Sequence, residues 1–136
     1  MQIISWNVNS LRALHKKGQF EWLVKQKADL IALQETKCTP DQLPDEVRNP
    51  KGYFSYFSHP SNGRKGYSGV AIYSKTKPDK VIEGMGIPEF DNERRMLGVF
   101  FDKLLILNIY FPNGGGGPVR LEYKLNFYDH FLEFIE

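Results

Sequence analysis

The chain has 136 residues, 18 Lys+Arg against 16 Asp+Glu for a formal net charge of +2, and one cysteine. That length supplies one hydrophobic core rather than two, so a second domain is excluded. The near-balanced charge gives no argument for a polyanion partner unless basic groups are placed together, and a lone cysteine excludes an internal disulfide and makes no zinc site.

No run approaches the roughly 18 apolar residues of a membrane span, and the N-terminus lacks the basic-then-apolar layout of a signal peptide. The expected location is cytoplasmic, with no membrane partner.

Taken in order, residues 2–6 read as a short strand that stops at Asn7-Val8-Asn9-Ser10, all turn formers apart from the valine. Phe20, Leu23 and Val24 follow at helical spacing, opened by Gly18. Residues 30–33 are an apolar run bounded by polar residues, a short buried strand from which Glu35 leaves at the carboxyl edge. Strand, helix, strand predicts a βαβ unit with parallel strands, so Asn7 and Glu35 emerge from one sheet edge. An amide and a carboxylate there can address a common metal or phosphate.

Residues 41–47 are a weak helix candidate and residues 53–57 aromatic-rich strand material. A loop over residues 60–66 carries Arg64 and Lys65 at its tip. Val70–Ser74 restarts the sheet, residues 90–95 are charged and loop-like, and Met96–Phe101 with Leu104–Ile109 form a hairpin over Asp102-Lys103. Its second strand is apolar on both faces except at Asn108, which suggests a sheet covered on both sides. After Tyr110-Phe111-Pro112-Asn113 and four glycines, a helix runs from about Val119 to the end with two apolar stripes, and a helix apolar all round is expected to be buried.

Glu35 with Asn7 and Asn9 suits a hard cation, because magnesium takes few protein oxygens and keeps water and substrate phosphate as its other ligands. Tyr110 and Asn113 lie just past another strand; they either line the same cleft or, respectively, pack and cap a turn. Arg12, Lys16, Lys17, Arg64, Lys65 and Arg120 are candidate phosphate contacts, each of which is individually also a solvated surface charge. The glycine run is not followed by the Lys-Ser or Lys-Thr of a P-loop and reads as a connector. His15, His59 and His130 lie in different elements and form no triad, and Cys38 reads as a structural thiol.

Read together, Ser5-Trp6-Asn7-Val8-Asn9, Leu33-Gln34-Glu35-Thr36-Lys37, Gly66-Tyr67-Ser68-Gly69-Val70-Ala71, Asp91-Asn92-Glu93-Arg94-Arg95 and Tyr110-Phe111-Pro112-Asn113 with Arg120-Leu121-Glu122-Tyr123-Lys124 resemble the exonuclease III family of abasic-site endonucleases, within the endonuclease/exonuclease/phosphatase superfamily. The resemblance covers essentially the whole chain in motif order. It implies Glu35 as a magnesium ligand, with manganese as the alternative ion. It implies Asn7 beside the metal and the scissile phosphate, and Tyr110 positioning that phosphate with Asn113 close by. Arg12, Ala13 and Lys17 then grip DNA on one side of the lesion, Gly66, Tyr67 and Ser68 on the other, with Arg120 as a further contact. The implied substrate is double-stranded DNA with abasic sites or 3′ ends.

Three departures qualify it. Ser10 and Arg94 stand where the family usually has glycine, and the Gly-Asp-x-Asn and Ser-Asp-His motifs of the family's second half are absent. The expected fold is α+β, half of a four-layer α/β sandwich, with one mixed β-sheet and helices on its outer face. Residues 1–136 then form the N-terminal part of an incomplete domain, inactive or nearly so alone, with the partner being a missing C-terminal half or a second copy on an exposed apolar face. The competing reading is a catalytically dead fragment that only binds DNA or a partner.

Overall fold

The computed structural model describes residues 1–60 and 66–136, so Arg64 and Lys65 lie outside the described residues. The first strand, β1 (Ile3–Asn7), leads through two short helices, α1 (Leu11–Lys16) and α2 (Gln19–Lys25), into β2 (Leu30–Gln34). The helix expected to open at Gly18 is α2, and α1 before it is an addition that the sequence reading did not anticipate. Gly18 sits at φ +72, a left-handed conformation that ends one helix and starts the next. As expected, β1 and β2 are parallel, with Asn7 opposite Gln34.

The weak helix expected over residues 41–47 becomes a 3-10 turn (Pro40–Gln42) and one turn of helix, α3 (Asp45–Arg48), because Pro44 cannot continue the first. Next come β3 (Phe54–Ser58) and β4 (Val70–Ser74), then β5 (Lys80–Glu83), which sequence reading did not anticipate. A short helix, α4 (Pro88–Asp91), precedes β6 (Met96–Phe101) and β7 (Leu104–Ile109), which form the expected hairpin with Phe101 opposite Leu104. Asp102 takes φ +50 in its turn, the role a glycine usually fills. The chain ends on α5 (Pro118–Ile135).

The mixed α/β architecture is as expected, but the single sheet is corrected. Strands β1-β2-β4-β3 form one sheet and β5-β6-β7 a second. They stack face to face, because β2 and β4 are apolar on both faces. Leu30, Ala32, Val70 and Ile72 point inward against Leu97 and Val99, whereas Ile31, Leu33, Ala71 and Tyr73 point outward under Leu11, Leu14, Phe20, Leu23 and Val47. Most of the inner face expected to lie bare is thus covered by the chain's own second sheet. What stays open is the inner side of β1, where Ile3 is 46% exposed, and the first residues of β7, where Leu104 and Leu105 are exposed.

The expected burial of α5 is also corrected. Only Phe127 is fully buried, seated on Phe90 at 5.4 Å and Phe111 at 6.0 Å between ring centroids. Leu121, Leu125, Leu132 and Ile135, the other stripe, are exposed. The helix lies at the margin of the sandwich and, among the described residues, has a neighbour on one side only.

Both departures from the family's glycines fall at positive φ, Ser10 at +107 and Arg94 at +52. A side chain there is strained, which explains why glycine is usual. Ser10 recovers part of the cost by capping α1, its Oγ accepting from Ala13 N at 3.2 Å; Arg94 instead donates to Glu83 at 2.9 Å, so its added charge is matched. Ser10→Gly should raise the melting temperature by about 3 °C, since relief of about 1–3 kcal/mol of strain exceeds the few tenths lost on replacing a serine cap by glycine. Ser10→Ala, which keeps the strain and loses the cap, should lower it. Thermal denaturation followed by circular dichroism separates the two.

Candidate active site

The carboxyl ends of β1 and β2 are stitched to their surroundings through the backbone. Val8, Ser10 and Leu11 donate their N–H groups to the carbonyls of Gln34, Glu35 and Thr36 at 3.0, 2.9 and 3.0 Å. From the other side, Thr36 and Lys37 donate to Gly69 and Ser68 at 3.1 and 2.9 Å. This double attachment holds Glu35 and Lys37 at φ +55, a conformation that costs non-glycine residues free energy and persists only where neighbours over-determine it. Gly69 is required in turn: at φ +92, a Cβ would lie 2.3 Å from Thr36 Oγ1.

The side chains converge on this segment. Tyr110, at the end of β7, donates its hydroxyl to Glu35 Oε1 at 3.1 Å, so the second sheet reaches the first at the site. Burial, then the charge and hydrogen bond of Glu35, push the Tyr110 phenol upward, which keeps it a proton donor at neutral pH. Lys37 Nζ stands 3.8 Å from the same Glu35 oxygen and 2.5 Å from Asn9 Oδ1. Asn7 is exposed at the predicted edge, but its Oδ1 accepts from Asn9 N at 3.2 Å. Asn113 closes its own turn, its Oδ1 accepting from Gly115 N at 2.9 Å, rather than hydrogen-bonding Glu35 or Tyr110.

A second cluster adjoins the first. Arg95, 2% exposed, donates to Glu93 at 2.8 Å, to the Tyr67 hydroxyl at 2.7 Å and to the Tyr110 carbonyl at 3.2 Å, with its guanidinium 4.8 Å from the Tyr110 ring. Arg120, at the start of α5, adds bonds to both Glu93 oxygens at 3.1 and 3.2 Å and to Tyr67 at 3.3 Å. Burial alone would raise the Glu93 carboxyl, but hydrogen bonds and charge from Arg120 and Arg95 outweigh it and hold the group at about 2. Two guanidiniums on one carboxylate leave a positive balance beside Tyr110. Sequence reading did not single out Glu93 and Arg95 as site residues; the signal was an opposite-charge pair two positions apart, immediately before an apolar strand.

The expected DNA-contact residues divide. Arg12 is exposed on α1 and donates to the Lys37 carbonyl at 3.3 Å, which ties that helix to the Glu35 loop; Lys17 caps the same helix and is exposed. Ala13 is half-buried, with its N–H on Ser10. Gly66 is exposed, Tyr67 belongs to the arginine cluster, and Arg120 is engaged there too. Ser68 is 1% exposed, so its side chain is withdrawn from the surface, and its carbonyl holds Lys37. The Cys38 thiol is buried, which pushes it up to about 11 and leaves it a neutral packing group, as expected.

Residues 4–136 match the family described as Endonuclease/Exonuclease/phosphatase family. An exodeoxyribonuclease of Bacillus subtilis (strain 168) is 38% identical over 136 residues, which are 99% of this chain and 52% of that protein. The catalytic domain of Xenopus laevis APE2 superposes with a TM-score of 0.83 at 34% identity, covering 96% of this chain and 52% of that one. A 3′ phosphatase, NExo (D146N) from Neisseria, bound to a product DNA hairpin, superposes with a TM-score of 0.82 at 31% identity over 99% of this chain and 51% of that one. The chain spans only part of its curated relatives, from 16% to 52% of their lengths.

Proposed function

Because the chain belongs to the endonuclease/exonuclease/phosphatase family, with DNA repair nucleases among its relatives, we propose that it carries one part of a magnesium-dependent phosphodiester site for duplex DNA with abasic sites or 3′ ends. The observation that carries this reading is the Tyr110–Glu35 hydrogen bond, which joins the two sheets at one edge beside a surplus of positive charge. Little turnover is expected of the chain alone, because among the described residues Glu35 belongs to no group of three or more His, Cys, Asp or Glu side chains that could hold a metal ion.

The donors fit a hard divalent ion held partly by water and substrate. Glu35 would supply the carboxylate oxygen and Asn7 an amide oxygen, and the lysine ammonium already lodged between Asn9 and Glu35 marks the spot as favourable to a cation. When bound, magnesium or manganese neutralises charge developing on the phosphate. The phenol of Tyr110 holds its proton and offers it as a hydrogen bond at the phosphate, while Arg95 fixes the tyrosine from behind through the main-chain carbonyl and the ring face. Arg12 and Lys17 contact the DNA backbone on the α1 side, Gly66 and Tyr67 on the other. The strip around Ile3 and the outer face of α5 would take the C-terminal half of a family domain, or a second copy of this chain, as partner.

Binding of a labelled duplex with one abasic site, followed by anisotropy from low to moderate salt, tests the substrate class. Arg12→Ala and Lys17→Ala should each weaken binding and reduce the slope of log K against log salt by about 1, as loss of a single phosphate contact does. An unchanged slope in both variants would remove α1 from the interface.

A further inference from the structure

Asn108 is the polar interruption of an otherwise apolar strand, and it is 2% exposed between the two sheets. Both amide hydrogens and the amide oxygen have partners across the sandwich. Nδ2 donates to the carbonyls of Leu33 on β2 and Ala71 on β4 at 3.0 and 2.9 Å, and Oδ1 accepts from Gln34 Nε2 at 2.7 Å. Gln34 Nε2 also reaches Ser5 Oγ on β1 at 3.1 Å. One buried amide thus connects β7 directly with β2 and β4 of the opposite sheet and, through Gln34, with β1. The two carbonyls on one side and the Gln34 donor on the other leave only one orientation for it.

The clamp sits directly behind the site. Asn108 precedes Tyr110 by two residues at the end of β7, and Leu33 precedes Glu35 by two at the end of β2, so both arms of the site start from the same fastening. The surrounding contacts of Leu30, Ala32, Val70, Ile72, Leu97 and Val99 are non-directional and tolerate small sliding of one sheet over the other. The amide does not, since a slip leaves buried donors and acceptors unpaired.

We propose that Asn108 is a positioning residue of the site: by fastening β7 across the sandwich to β2 and β4, it sets the distance between Tyr110 and Glu35. This rests on the reading of those two residues as one site, but its test does not depend on turnover. A structural role alone would make Asn108 stabilise the fold without affecting what the Tyr110 hydroxyl contributes; a positioning role makes the two effects depend on each other.

The test is a double-mutant cycle read by urea denaturation, combining Asn108→Ala with Tyr110→Phe. Alone, Tyr110→Phe should lower the folded-to-unfolded ratio about 3- to 10-fold, the worth of one hydrogen bond. In the Asn108→Ala background it should change that ratio less than about 2-fold. Tyr53→Phe, which removes a hydroxyl bonded to the Ala28 carbonyl at the far end of the sheet, is the control and should act equally in both backgrounds. Additivity of Asn108→Ala with Tyr110→Phe overturns the proposal. If Asn108→Ala does not fold, Gln34→Met, which removes the donor to Asn108 Oδ1 together with the same amide's bonds to Ser5 Oγ and the Ala32 carbonyl, takes its place, with Ser5→Ala as the control for the lost Ser5 bond and with the same expected loss of coupling and the same overturning result. A coupled cycle without DNA nicking by any preparation would count against the nuclease reading and leave the positioning role standing; an additive cycle with nicking does the reverse.

Discussion

Glu93→Ala is expected to destabilise the chain by about 3–5 kcal/mol, because it strands the Arg95 guanidinium, 2% exposed, without its carboxylate. Against a total stability of roughly 5–15 kcal/mol for a domain, that loss leaves a sizeable unfolded population. Urea denaturation measures it. Replacing the pair together, Glu93→Leu with Arg95→Met, should cost less than Glu93→Ala, since the expense lies in the orphaned charge rather than in the lost attraction.

The same carboxylate sets an acid dependence. Its folded pKa, about 2, lies below the ordinary 4.5. The unfolded chain therefore binds the proton more readily, and the stabilisation is complete above about 4.5 and disappears as pH falls towards about 2. A shift of that size corresponds to about 3 kcal/mol. Unfolding free energy measured from pH 6 to pH 2 should fall across this window, and Glu93→Gln should flatten the curve there.

The second large effect concerns the proposed chemistry. Glu35→Gln retains the size of the side chain and an acceptor for Tyr110 but removes the carboxylate charge that would hold a divalent ion. In a preparation that nicks abasic duplex DNA, it should reduce metal-dependent turnover on the order of 100-fold, the scale of losing one preorganised charge-stabilising group. Manganese binding, followed by electron paramagnetic resonance on the chain alone, should weaken in parallel. Unaltered manganese affinity would move the cation away from Glu35.

Much of this was legible before any coordinates. The parallel β1–β2 pair followed from strand, helix, strand order, and with it the shared edge of Asn7 and Glu35. The second sheet did not, because β5 is only four residues long and the chain from Val70 onward reads the same whether its strands join one sheet or two. The exposure of α5 was missed because its second apolar stripe, Leu121 to Ile135, has no partner among the described residues. Periodicity identifies a face that wants cover without showing what provides it. Tyr110 was placed near Glu35 on resemblance, and the hydrogen bond between them needed coordinates. Asn108 stood out as a polar residue in an apolar strand, but its reach to the carbonyls of Leu33 and Ala71 depends on two strands remote in sequence. Ser10 and Arg94 read only as departures from the family's glycines; in the structure they are strained backbone positions, a property that residue identity alone does not display.

The central claim is that these residues form one part of a divided phosphodiester site. Its most direct test is nicking of a duplex containing a single abasic site, by this chain alone and by this chain mixed with the C-terminal half of a family relative, each with magnesium and with EDTA. The expectation is little or no nicking by the chain alone and EDTA-sensitive nicking by the mixture that Glu35→Gln abolishes. Robust, EDTA-sensitive nicking by the isolated chain, lost in Glu35→Gln, would contradict it.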